Sequence, residues 1–578
     1  MNNYTAERHT RILIALLKEY GIRKIVASPG TTNVAFVGSV QNDPYFEMYS
    51  CVDERSAAYM ACGLASKSGE AVVLSCTGAT ASRNYFPGLT EAYYRKLPIL
   101  AITSSQYEYR VGNNIAQMID RSVTPKDAIR YSMSIGVIHS DEQETIMIKN
   151  INYALQELFR NGGGPVHINL TMTYNRDFSV EELPKVKKIN RYRIEDDMPN
   201  ISGNRVAIFC GAHKHFTKSL TEAIDRFCYK YNAVMFCDMT SDYQGKYRLD
   251  ASLLTSQDNL KTDLFAPDLI IHIGEIAGHE IRLHMNSVWR VNPDGEYVDT
   301  FFKLDSVFQM SEQQFFDKYS EMNGVERGNQ YYIDLKAEDQ KIRQSIPDLP
   351  FSNIWIAQNS ILKVPEKCNI YFSILNTLRS WNFCELPVGV SGFSNTGGFG
   401  IDGGISSALG IALADPEHIT IAIAGDLQFF YDMNALGNRH LPNNFRVMVI
   451  NNGVGTEFKN YNHFATSTGE DTDRYIAARG HFGCQSKNLI KHYAEDLGFT
   501  YLTASNKSQY LDVVDQFMHP QSNNKPILLE AFTNSAEESV ALEEMRNIVK
   551  TYKSEGKKII KSIVGEKTIG EVKKILGK

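Results

Sequence analysis

At 578 residues the chain is too long for a single hydrophobic core, and ordinary domain sizes divide it into three or four. Its 43% hydrophobic and 22% charged residues exclude a disordered chain, and a net charge of -6 excludes the field that gathers nucleic acid. Nine scattered cysteines, nowhere spaced as CxxC, indicate neither a disulfide framework nor a zinc site and fit a reducing cytoplasm.

The N-terminal stretch MNNYTAERHTRILIALLKEYGI has a short apolar run broken by Lys18 and Glu19, which predicts an amphipathic helix rather than a signal peptide. No uncharged apolar run reaches the roughly 18 residues that a membrane span needs, so a soluble protein is expected. Residues 1–185 then repeat one pattern, an apolar strand, a Gly- or Ser-bearing turn and a helix, as in RKIVASPGTT, FEMYSCVDERSAAYMACGLASKSG and AVVLSCTGATASRNYFPGLTEAYYRKLPILAITSS. Alternation of this kind predicts a parallel sheet covered on both faces.

The polar, basic stretch LPKVKKINRYRIEDDMPNISGN carries no apolar period and reads as a linker. A second α/β unit, residues 195–345, contains VAIFCGA, AVMFCDM and DLIIHIGEI and no sharp chemical motif. The third, residues 365–540, has apolar strands ending in Gly, Asp or Asn, which puts small and polar groups at the carboxyl edge of a sheet, where open parallel sheets bind ligands. Residues 541–578 are Lys- and Glu-rich at helical spacing and predict a solvated terminal helix. The expected fold class is therefore α/β, with three doubly wound parallel-sheet domains.

The chemistry concentrates in the third unit. Gly425-Asp426 ends the strand ITIAIA, and Asn451-Asn452-Gly453 ends the next, RVMVI. Asp426 offers a carboxylate, Asn452 an amide oxygen, and a turn at Val454 a backbone carbonyl; with two phosphate oxygens and a water these would complete a magnesium octahedron. Gly425 leaves room for phosphates to approach the backbone. Separately, Gly-Asp is an ordinary helix cap and Asn-Asn-Gly an ordinary turn. On two neighbouring strands they point to one metal ion.

This pattern, GD followed at the same gap by NN, resembles the cofactor signature of thiamine-diphosphate enzymes such as pyruvate decarboxylase and acetohydroxyacid synthase. The resemblance implies thiamine diphosphate and Mg2+, with Asp426, Asn452 and the carbonyl of Val454 as metal ligands. It implies Ile401, Gly425, Leu427, Gln428 and Phe458 as residues against the cofactor, Ile401 being the bulky prop that bends it; Leu427 stands where many members have a second Gly. Glu54, in VDERSAAYMACGLA, matches the family's activating glutamate, which would protonate the cofactor's pyrimidine ring, although a Glu in a first helical turn is also favoured by the helix dipole alone. Gln117, in AQMID, matches a family active-site glutamine. Because the glutamate of one subunit serves the cofactor of its partner, a homodimer or dimer of dimers is implied.

The motifs GDL, GIDG (400–403) and DMNAL (432–436) look like those of the menaquinone-pathway succinyl-enolpyruvyl synthases, which add a 2-oxoglutarate-derived unit to isochorismate. Substrate-facing positions depart from that likeness. Thr31 and Thr32 stand where those enzymes have Ser-Arg, Thr396 and Phe399 where they have Arg and Ser, and Glu457 where they have an apolar residue. Loss of two arginine forks argues against the menaquinone reaction. Arg83, Arg95, Arg110, Arg121, Lys459 and His463 remain as candidate substrate contacts, and each also reads as a surface charge.

The resulting expectation is a decarboxylase or carboligase that acts on a 2-oxo acid through an enamine, which is protonated or adds to a carbonyl or an activated alkene. An acetohydroxyacid-synthase-like enzyme stays open as an alternative, though no trusted nucleotide signature supports a flavin such as FAD, and so does a non-catalytic subunit that keeps the fold.

Overall fold

The structure, a computed structural model, describes residues 3–278, 281–481, 486–520 and 524–549. It is parallel α/β throughout, and the chain forms two compact units, residues 1–198 with 288–309 and residues 199–287 with 310–578.

In the first unit, β1 (Lys24–Ala27), β2 (Glu47–Ser50), β3 (Val72–Cys76), β4 (Ile99–Ser105), β5 (Tyr131–Ile135) and β6 (Val166–Thr171) form a six-stranded sheet in the order β2-β1-β3-β4-β6-β5. Every residue of β3, β4 and β6 is buried, as near-continuous apolar strands require when helices cover both faces. Helices Arg8–Glu19 and Asp141–Glu157 close one face through Ile12, Leu16, Ile151 and Leu155. Helices Glu54–Ser68 and Phe86–Tyr94 close the other with a mostly alanine stripe, Ala57, Ala58, Ala61 and Ala65. This unit also holds a strand within the stretch that reads as a linker, β7 (Asn190–Arg193). Only half-buried along its whole length, β7 has no apolar signature to betray it.

The second unit contributes β8 (Val206–Cys210), β9 (Ala233–Cys237), β10 (Arg248–Asp250) and β11 (Leu269–Ile273), in the order β10-β9-β8-β11. In the first unit β12 (Val288–Asn292) pairs with β13 (Leu304–Gln309), and β13 with β7, both parallel.

The last sheet, in the second unit, comprises β14 (Asn369–Phe372), β15 (Ser391–Phe393), β16 (Thr420–Gly425), β17 (Phe445–Asn451), β18 (Thr500–Ala504) and β19 (Ile527–Phe532). Its order, β15-β14-β16-β17-β19-β18, repeats strand for strand the order of the first sheet. Helices Gly404–Ala414 and Leu489–Asp496 cover one face around Ala408, Ala422, Phe429 and Val449. The winding direction reverses between β14 and β16, and in open α/β sheets ligands bind outside the carboxyl ends at such a switch.

Helix Ser535–Arg546 follows the last strand, and Glu538 on it accepts the N–H of Asn353 at 3.0 Å. Of the expected terminal helix, residues 550–578 lie outside the described residues, as does Cys484. The other eight cysteines are free thiols. Among the described residues no helix is long and apolar enough to cross a membrane.

Candidate active site

Gly425 of β16 lies in register with Ile450 of β17, so the chain leaves the sheet at both tips side by side. Asp426 starts the helix Asp426–Asp432 and is 4% exposed. Burial pushes its carboxyl up to about 7, against the opposing pull of the backbone N–H groups of Asp426 itself, Leu427, Gly453 and Asn452. Two of those donors belong to the neighbouring tip, so the Asp and Asn-Asn-Gly motifs share one locus.

The two asparagines face different ways. Asn451 donates to Glu530 at 2.7 Å, and Glu530 accepts from the Tyr501 hydroxyl at 2.7 Å, which ties β17, β18 and β19 together beneath the tip. Asn452 is half-buried and accepts from the N–H of Val454 at 3.3 Å. The turn is tight because Gly453 has φ +71°, a left-handed conformation in which a side chain is strained.

A second brace holds the loop that carries Ile401. Asp432 accepts from the N–H and the hydroxyl of Ser406 at 2.6 and 2.7 Å, joining the end of the Asp426 helix to the first turn of helix Gly404–Ala414. Gln428 is buried and packs on Gly404 so closely that a Cβ there would collide with its amide. Ile401 is half-buried beside this brace, as are Leu427 and Phe458 in their own segments.

The donor set suits a magnesium diphosphate. Among the described residues no group of three or more His, Cys, Asp or Glu could hold a metal, so an ion here would rest on one carboxylate, one amide oxygen and a carbonyl. Hard mixed oxygens of that kind, completed by phosphate and water, are the usual share of Mg2+. A buried carboxylate that faces backbone N–H groups on two strand tips is one whose charged form a divalent ion would stabilise.

A cavity of about 320 Å³ opens in the same unit, with Leu375, Arg379, Phe399, Glu457, His463 and Arg546 on its wall. Arg379 follows the tip of β14 on helix Asn376–Trp381 and meets Glu457 through both terminal nitrogens, at 2.6 and 2.8 Å. Leu375 and Phe399 hold positive φ, +63° and +54°. Bulky side chains in that region cost of the order of 1–3 kcal/mol each, and such strain concentrates at ligand sites. Thr396, in the Phe399 loop, is buried. The His463 Nδ1 accepts from the Ala465 N–H at 3.0 Å, and Lys459 is paired with Asp473 at 2.7 Å.

In the first unit, Thr31, Glu54 and Gln117 lie beyond the carboxyl ends of β1, β2 and β4. Glu54 opens its helix, capped by Asp53, which accepts from the Ser56 N–H at 2.7 Å; Glu54 is half-buried and takes a long contact from Asn84 at 3.5 Å. Gln117 is exposed and has φ +65°. Thr31 is exposed, whereas Thr32 turns inward onto the Ser104 carbonyl at 2.8 Å. Arg121 is buried against Asn169, Arg83 binds the Asp120 carbonyl, Arg95 reaches Ser66, and Arg110 bonds to Gln106.

Sequence reasoning did not find Arg379 or Leu375. Their only signal is position, just past the tip of an apolar strand that neighbours β16.

Residues 8–123 match the model of the thiamine pyrophosphate enzyme N-terminal TPP binding domain, and residues 388–531 that of the C-terminal TPP binding domain. The first span holds Glu54 and Gln117, the second Asp426 and Asn452. The chain is similar to proteins named 2-succinyl-5-enolpyruvyl-6-hydroxy-3-cyclohexene-1-carboxylate synthase. It is 28% identical to that of Bacteroides fragilis (94% of this chain, 99% of the relative), 26% to that of Phocaeicola vulgatus (94% and 98%) and 26% to that of Flavobacterium psychrophilum (90% and 98%). The chain thus carries both the N-terminal and the C-terminal TPP binding domain of thiamine pyrophosphate enzymes, with the paired tips of β16 and β17 inside the second.

Proposed function

We propose that the chain is a decarboxylase or carboligase of 2-oxo acids, and that Asp426, Asn452 and the carbonyl of Val454 hold the magnesium that anchors the cofactor's diphosphate. The observation that carries this reading is the buried Asp426 carboxylate with the Asn452–Gly453 turn against it. Bound thiamine diphosphate supplies a carbon nucleophile for the keto group and an electron sink for the departing carbon dioxide.

The chain's own residues do the rest. Glu54 holds a proton at the pyrimidine ring nitrogen, and Ile401 props the cofactor from the loop braced by Asp432 and Ser406. The cavity beside Arg379 and Phe399 orients the 2-oxo acid and keeps water from it. Pairing of subunits fits the helix of Glu54, where the large apolar side chains of Tyr59 and Met60, and of Val52 just before the helix, are exposed.

Release of carbon dioxide from a panel of 2-oxo acids, with and without thiamine diphosphate and Mg2+, tests the proposal. Turnover that needs both additions is expected. No release from any donor, even with carbonyl and alkene acceptors supplied, would contradict it. A second reading, the synthase reaction in the relatives' name, draws on similarity over 94% of the chain. The Arg379–Glu457 pair weighs against it. Formation of that product from 2-oxoglutarate and isochorismate would decide for it.

A further inference from the structure

Both arginines on the cavity wall are already paired. Arg379 spends both terminal nitrogens on Glu457, and Arg546 is paired with Asp258 at 2.7 Å. His463 accepts the Ala465 N–H at Nδ1. The side chains of Arg379 and Glu457 are 24% and 17% exposed, so the pair is shielded enough for its partners to matter to each other.

A fork-to-fork pair of this kind fills the arrangement by which an arginine would grip a ligand's carboxylate. A second carboxylate entering the cavity would have to displace Glu457, which would then lie unpaired beside it, two like charges in a half-enclosed space. A neutral end meets no such opposition. Phe399 and Leu375 give it apolar surface on the same wall.

We propose that Glu457 is a specificity-determining residue. By occupying Arg379 it excludes 2-oxo acids that carry a second carboxylate and admits those whose far end is uncharged. This deepens the 2-oxo acid reading and rests on it for the reaction, but not for the binding preference. Glu457 lies on the short helix Thr456–Lys459 that follows the Asn452–Gly453 turn, so one segment carries both a metal ligand and the selector.

The test is calorimetric titration of the full chain, in the presence of thiamine diphosphate and Mg2+, with two unreactive acids, glutarate and butyrate. Glu457→Gln is expected to bind glutarate at least about tenfold more tightly than the parent, the worth of one freed charge-assisted contact, while butyrate affinity changes less than about threefold. Glu457→Leu is expected to give the same gain, so either variant that folds decides the matter. Adding Arg379→Met should erase it. Equal glutarate binding by parent and variants, no glutarate binding by any of them, or a gain that survives loss of Arg379 would each overturn the inference. Because neither acid turns over, a chain that binds as expected yet releases no carbon dioxide from any 2-oxo acid counts against the reaction alone.

Discussion

The Asp426 carboxyl feels the pull of the Gly453 N–H, which belongs to the neighbouring strand tip. The same carboxyl is pushed up to about 7 by burial, from an ordinary value of 3.8. Between these values the folded chain keeps a proton that the unfolded chain has released, so this group's contribution to stability falls as pH rises through the window and stays lost above it.

Metal binding should run the opposite way, because a divalent ion takes the ionised carboxylate. Mn2+ affinity, measured by titration from about pH 5.5 to about pH 8, is expected to drop about tenfold per unit below pH 7 and to level off above it. An affinity independent of pH would place the ion elsewhere.

Glu54→Gln keeps the shape of the side chain and removes its acid. The variant should bind thiamine diphosphate within about threefold of the parent, while exchange of the cofactor's C2 proton slows by about a hundredfold or more. Exchange followed by proton NMR in D2O checks this. An unchanged exchange rate would show that Glu54 only fills its helix turn.

The brace behind Ile401 can be tested by crowding it. Gly404→Ala places a methyl against the Gln428 amide and should cost about 1–3 kcal/mol of stability, seen as a lowered Tm. Trimming the neighbour with Gln428→Ala in the same chain should recover part of that loss. Gly453→Ala, at φ +71°, is expected to cost about 1 kcal/mol or more with no such rescue.

The paired strand tips were legible in the sequence because β16 and β17 are buried, read as unbroken apolar runs, and stop abruptly at Gly-Asp and Asn-Asn-Gly. The place of Glu54, first in its helix after β2, was legible for a similar reason. The strand β7 was not, since four half-buried residues present no alternation. The Arg379–Glu457 pair was hidden differently. Its members are 78 positions apart, and only the alignment of β14 beside β16 brings the two segments together. Thr32, which reads as a free substrate contact, spends its hydroxyl on the Ser104 carbonyl, a bond no local pattern announces.

The most direct measurement is titration of thiamine diphosphate with Mg2+ into the parent, Asp426→Ala and Asn452→Ala, with thermal melts to verify that each variant folds. Loss of a ligand should weaken cofactor binding about a hundredfold or more in Asp426→Ala, and by a smaller factor in Asn452→Ala, where a neutral oxygen is removed. A folded Asp426→Ala chain that binds the cofactor as tightly as the parent, and still needs Mg2+ to do so, would contradict the placement of the ion between these two tips.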